Sequence, residues 1–205
     1  MRTLLVVVAA IILGACSHPT EQALPRGTRV LALGDSLTAG YGVNPGEAWP
    51  VLLASRTGWE IVNAGISGDT TAGGLQRLPV LLEEHSPALV IVSLGGNDML
   101  RRVPQLETIA NLNRILDLIH AHGAKTVLLA TPKPSITGAV FNSLSAADFY
   151  QLIAESHKVP LIEDALPDVL SDPKLKVDAL HPNAAGHLLL TEKLFKSLKA
   201  IGYVR

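Results

Sequence analysis

Cysteine occurs once in 205 residues, at Cys16, so no disulfide can close within the chain and no cysteine-rich metal site can form. Aromatic residues make up only 4% of the chain, which argues against a surface built to stack bases or line a sugar groove. Charge of one sign is equally scarce. Seventeen Lys and Arg face eighteen Asp and Glu, leaving a net charge of −1 with both signs mixed along the sequence. No basic stripe of the kind that neutralises phosphates is visible, so no nucleic-acid partner is expected. The N-terminal apolar run, Leu4 to Leu13, falls short of the roughly 20 residues that cross a bilayer comfortably.

That run reads as an address. Met1-Arg2-Thr3 is a short basic start, and polar residues begin at Ser17, so residues 1–15 are expected to be a signal peptide. Its end, Leu13-Gly14-Ala15-Cys16, resembles the bacterial lipoprotein signal, in which the cysteine is lipidated and becomes the mature N-terminus. Gly14 is a less usual residue at its place. An ordinary secretory signal with an incidental cysteine, or an uncleaved anchor, are the other readings. Buried acyl chains contribute about 0.8 kcal/mol per methylene, so a lipidated Cys16 would hold the chain on a membrane. Residues 16–26, polar with two prolines, would be its tether. The expected location is the bacterial cell envelope, lipid-anchored and facing the periplasm or exterior.

The full chain is 48% hydrophobic, and residues 27–205 suffice for one packed domain, expected to be a monomer. Short β-branched runs alternate there with amphipathic ones, the pattern of an α/β domain with a parallel sheet. Strands are predicted at Arg29 to Leu33, Glu60 to Asn63, Ala88 to Leu94, Lys125 to Ala130 and, more weakly, Pro160 to Ile162. Helices are predicted at Ala48 to Arg56, Thr71 to His85, Leu106 to His122, Ala146 to His157 and Ala184 to Ile201. In the third helix Leu106, Ile109, Leu112, Ile115, Leu116 and Ile119 recur every three or four residues, and Gly123 sits where a helix C-terminal glycine is expected. Ligands of open parallel sheets bind beyond the carboxyl ends of the strands. The loops starting at Gly34, Ala64, Gly95 and Thr131, and the segment around Asp178, should therefore share one edge.

Four blocks on that edge carry chemistry. The strand Val30-Leu31-Ala32-Leu33 runs into Gly34-Asp35-Ser36-Leu37, placing a hydroxyl on a turn near free backbone amides, as a serine nucleophile requires. Taken alone, Ser36 would be a helix N-cap. Asp178-Ala179-Leu180-His181-Pro182 sets a carboxylate three residues before an imidazole. In one turn Asp178 can hold His181 Nδ1–H and leave Nε2 free to take a proton from Ser36. Asp178, His181 and His187 make a poor zinc set, because no further cysteine or glutamate supports them. Asn63 to Thr70 and Gly95-Gly96-Asn97-Asp98 follow the second and third strands. From them the Gly68 amide and the Asn97 side chain can join the Ser36 amide in stabilising the oxyanion of acyl transfer. Asp35, Asp69 and Asp98 are expected to cap or brace loops.

In this order, the Gly-Asp-Ser-Leu block, Gly68, Gly-Gly-Asn-Asp and Asp-x-x-His-Pro strongly resemble the SGNH (GDSL) hydrolase family, across nearly all of the chain from Arg29 onward. Within it, Gly34 to Tyr41, Ala48-Trp49-Pro50, Asn63 to Thr70 and Leu94 to Asp98 look most like the thioesterase I, lysophospholipase and arylesterase group. The resemblance implies a three-layer α/β/α sandwich of flavodoxin-like topology with a mainly parallel five-stranded sheet. It also implies Ser36 as nucleophile, Asp178 and His181 as acid and base, and Ser36, Gly68 and Asn97 as the oxyanion hole.

The expected reaction is hydrolysis of a small-molecule or lipid acyl ester or thioester through an acyl-enzyme, without cofactor or metal. Activity should fall as the pH drops through the range in which an ordinary histidine protonates. Residues 131–149, with Pro132, Pro134, Ile136, Val140 and Phe141, are expected to wall the acyl pocket. A carbohydrate or peptidoglycan O-acetylesterase would use the same five residues on a short acyl group. A non-catalytic envelope lipoprotein would have no use for all five.

Overall fold

The computed structural model describes residues 21–135, 137–138 and 142–205. The predicted signal peptide, Cys16 and the start of the tether lie outside the described residues, as do Ile136, Val140 and Phe141.

Five strands form one parallel sheet: β1 Arg29–Gly34, β2 Glu60–Gly65, β3 Leu89–Ser93, β4 Lys125–Leu129 and β5 Leu161–Ile162. Their order is β2-β1-β3-β4-β5, the flavodoxin-like arrangement, and all neighbours run parallel. The helices are α1 Ser36–Ala39, α2 Trp49–Thr57, α3 Thr71–His85, α4 Gly96–Leu100, α5 Gln105–Ala121, α6 Phe149–His157, α7 Ala165–Ser171 and α8 Ala184–Ile201.

Continuous apolar runs make these strands because both faces of the sheet are covered. Along β1, β3 and β4, Leu31, Leu33, Val90, Val92 and Leu128 face a core built with Leu78, Leu82, Leu112, Ile115, Ile119 and Tyr150 of α3, α5 and α6. The alternate residues Val30, Ala32, Leu89, Ile91, Val127 and Leu129 face a second core with Trp49, Leu53, Leu166, Leu190, Leu194 and Leu198 of α2, α7 and α8. Two cores with one sheet between them are the predicted three-layer sandwich. Leu31 is fully buried in it. Leu31→Ala is expected to cost about 2 to 5 kcal/mol, measured as a lower urea midpoint at unchanged m-value.

Register decides where the loops begin. Gly34 stands opposite both Gly65 on β2 and Ser93 on β3, so the chain leaves three strands at one level. A side chain at Gly34 would run into Thr38, so only glycine lets α1 fold back onto the end of its own strand.

Three local expectations change. Leu106, placed in the buried stripe of α5, is 81% exposed, because the first turn of that helix projects past the core. The helix predicted from Ala146 begins at Phe149, since Ala146 pairs with Pro132 in an antiparallel bridge. Glu21 to Arg26, read as tether, is held to the body: Glu21 N–H donates to Ile201 O at 3.1 Å and Leu24 N–H to Tyr203 O at 2.9 Å.

Candidate active site

Asp35 N-caps α1, accepting the Leu37 amide at 3.0 Å, and this fixes Ser36 as the first helical residue beyond β1. The Ser36 hydroxyl lies 3.0 Å from His181 Nε2. His181 Nδ1 in turn lies 2.8 and 2.9 Å from the two carboxylate oxygens of Asp178. Ser36, His181 and Asp178, from opposite ends of the sequence, thus form one continuous hydrogen-bonded relay.

The loop that delivers His181 is set by its own side chains. Asp178 also accepts the Leu180 and His181 amides at 2.8 and 2.9 Å, which closes the three-residue turn. Below it, Val177 N–H donates to His181 O at 2.9 Å, and Asn183 caps α8 by accepting the Gly186 amide at 2.9 Å. Burial works to raise the Asp178 carboxyl. The Leu180 amide, the His181 ring and the His181 amide outweigh it and hold the group below the usual carboxylate range. The carboxylate is 46% exposed, and its partner ring packs 4.5 Å from that of Tyr41.

Gly68 and Asn97 face the same cleft as Ser36 and His181. Gly68 has φ +79°, a left-handed conformation that side-chain-bearing residues rarely adopt, and Arg101 Nη2 donates to its carbonyl at 2.7 Å. The Ser36 and Gly68 amides donate to no other described group, which leaves both free for a ligand oxygen. Asn97 Nδ2 donates to Asp35 at 3.1 Å, and an amide nitrogen carries a second hydrogen. Asp35 therefore does more than cap: it is 2% exposed, and burial pushes its carboxyl up to about 6 against the opposing pull of the Leu37 amide, His181 and Asn97.

Further supports went unseen in the sequence. Arg77 ties two loops together, its Nε 2.8 Å from Asp69 and its Nη2 3.0 Å from Gly34 O. Asp98, fully buried, accepts the Thr71 amide at 2.9 Å and its hydroxyl at 2.5 Å, so it braces the start of α3 rather than its own loop. Asp69 precedes Thr70, the N-cap of α3, so no helical spacing links it to Arg77 in the sequence. His187 is fully buried and accepts the Trp49 amide through Nδ1 at 3.3 Å, a structural task away from the relay. Among the described residues no three His, Cys, Asp or Glu side chains gather as a metal set.

The cleft has a volume of about 690 Å³. Ser36, Gly68, Asn97 and His181 line it together with the apolar Leu100, Pro132, Pro134, Leu144, Leu170 and Leu180, and Lys133, Ser135 and Lys176 add polar groups to its wall. Pro132 and Pro134, expected to wall the acyl pocket, line this cleft.

Residues 32–189 match the model of the GDSL-like Lipase/Acylhydrolase family. The chain is 37% identical over 177 residues to thioesterase 1/protease 1/lysophospholipase L1 of Escherichia coli (strain K12), covering 84% of each chain. It is 35% identical over 204 residues to an arylesterase of Vibrio mimicus, covering 97% of this chain and 98% of that one. Among solved structures, a psychrotrophic esterase EstA from Pseudoalteromonas sp., inhibited by monoethylphosphonate, superposes with a TM-score of 0.74 at 31% identity, covering 84% of this chain and 97% of that one. The fold, the match across most of its length and relatives all named as esterases or thioesterases agree: this chain belongs to the GDSL-like lipase/acylhydrolase family and is an ester hydrolase.

Proposed function

We propose that the chain hydrolyses carboxylic esters and thioesters of apolar acyl groups through an acyl-enzyme on Ser36. The observation that carries this is the relay from Ser36 Oγ through His181 to Asp178, with bonds of 3.0, 2.8 and 2.9 Å. His181 Nε2 takes the Ser36 proton as Oγ attacks the acyl carbon. The Ser36 and Gly68 amides and Asn97 Nδ2 hold the resulting oxyanion. The tetrahedral adduct collapses, His181 passes the proton to the departing alcohol or thiol, and water, activated by the same imidazole, then releases the acid. Asp178 keeps Nδ1 protonated and stabilises the imidazolium.

The relatives supply a substrate panel, since they are named for aryl esters, thioesters and lysophospholipids. Phosphonate inhibition of the Pseudoalteromonas esterase suits a serine nucleophile. Labelling with a fluorophosphonate probe is expected in the wild-type chain and in none of the Ser36→Ala protein; labelling that survives the substitution removes the nucleophile assignment. Across p-nitrophenyl esters kcat/KM is expected to rise from acetate to octanoate, because Leu100, Pro132, Leu144 and Leu180 line the cleft that holds Ser36. The opposite trend would place the enzyme with acetyl esterases. We further propose lipidation at Cys16 and residence on the bacterial cell envelope, facing the periplasm or exterior; the mass of the purified chain tests the modification.

A further inference from the structure

Parallel βα units send every strand the same way, so the molecule has two unlike ends. The cleft lies beyond the carboxyl ends of the strands. At the other end the chain enters: Glu21 is bound to Ile201 O and to Lys125, the first residue of β4, at 3.1 and 2.6 Å, and Gly27 N–H donates to Gly58 O at 2.7 Å. Five residue steps separate Cys16 from Glu21, a reach of at most about 17 Å.

That end carries a second pocket of about 420 Å³. Three arginines line it, Arg26, Arg56 and Arg205, together with Trp59 and Phe195. Arg26 lies flat against Gly58, where an added Cβ would meet its Cζ at 2.5 Å. Arg56 lies over the Phe195 ring at 4.4 Å, and its only described carboxylate neighbour, Glu192, is 3.9 Å away with both side chains about half exposed. Nearby Glu21 is occupied by Lys125. The C-terminal turn of α8 adds Lys199 to the same end, while His85 and His157 at the ends of α3 and α6 lie 4.0 and 3.8 Å from Glu84 and Asp117.

We propose that this end, centred on Arg26, Arg56 and Arg205, is the face that rests on an anionic phospholipid bilayer, so that the cleft opens away from the membrane that holds the chain. The inference rests on the reading that residues 1–16 keep the chain at a membrane. Charge complementarity selects the occupant: guanidinium groups pair with phosphodiesters in bidentate fashion, and an anionic leaflet attracts basic side chains held within a Debye length of it. The short reach from Cys16 sets the distance. The strands then separate surface and cleft by about 20 Å. An enzyme so placed acts on acyl esters that arrive from the aqueous side rather than on intact lipids of its own leaflet.

The test offers the full chain equal amounts of phosphatidylcholine vesicles and phosphatidylcholine/phosphatidylglycerol vesicles, separated afterwards by density. The wild-type chain is expected to favour the anionic vesicles at least about tenfold at low salt. Arg26→Gln/Arg56→Gln/Arg205→Gln should distribute evenly, while hydrolysing a water-soluble ester at the wild-type rate. An even distribution of the wild type, or a preference that survives the triple substitution, overturns the proposal. The mass of Cys16 in the same sample separates the two readings. An unlipidated chain that prefers anionic vesicles keeps the surface and loses the anchor; a lipidated chain with no preference does the reverse.

Discussion

Replacing His181 with alanine is expected to lower kcat on a p-nitrophenyl ester by about 10⁴- to 10⁶-fold, with KM changed little. Among the described residues the imidazole is the group hydrogen-bonded to the Ser36 hydroxyl, at 3.0 Å, and so placed to accept its proton. Asp178→Ala should cost about a hundredfold less. That carboxylate is 46% exposed, so water can take over part of its hydrogen bonding to Nδ1 and part of its stabilisation of the imidazolium. The hydrogen bonds that hold the Asp178 carboxyl below its usual range also settle its place in the pH profile. A depressed carboxyl keeps its charge, and the ion pair its contribution, until the pH falls below the ordinary carboxylate range. The loss of activity expected on mild acidification is therefore assigned to other groups. Steady-state kinetics of both variants at pH 8 check this, and an Asp178→Ala loss equal to that of His181→Ala would contradict the ranking.

Much of this arrangement could be read from the sequence, because the pattern there is dictated by burial. β1 and β3 are apolar at nearly every position since both faces are covered, and the α5 stripe from Leu112 to Ile119 is fully buried as its spacing required. Gly123 has φ +82°, as a helix C-terminal glycine should. The four loops converge because their strands end in register, which follows once the strand order is known. What escaped was short or long-range. Helices α1, α4 and α7 span four, five and seven residues, too few to show a period of 3.6. Tyr41 against His181, Arg101 on Gly68 O and Arg77 on Gly34 O are contacts between segments far apart in the chain, for which single residues give no pattern. Leu106 had the right spacing but lay beyond the end of the core.

Asn97→Ala is expected to lower kcat by about 10²- to 10³-fold with KM nearly unchanged, because the oxyanion we propose it holds exists only along the reaction path. Its amide can act only in one orientation, and Asp35 chooses that orientation by accepting one Nδ2 hydrogen at 3.1 Å and leaving the other for the cleft. The choice depends on charge. Burial has raised the Asp35 carboxyl to about 6, so on acidification it takes up a proton near that pH and can offer a donor where it had offered only acceptors. Asn97 then loses its reason to keep nitrogen toward Asp35, and activity is expected to fall. Asp35→Asn should reproduce this at pH 8, with kcat lowered about tenfold to a hundredfold and the ionisation near 6 missing from its pH profile. Stability should move the other way. A carboxyl raised on folding contributes most below its unfolded value of about 3.8 and loses that contribution as the pH climbs through about 6. At pH 8 the wild type therefore carries the cost of a buried charge, and Asp35→Asn should gain on the order of 2 kcal/mol in urea denaturation while losing activity. A variant that is both slower and less stable would show Asp35 to be a structural cap alone; one slower yet more stable would show the fold giving up stability to aim Asn97.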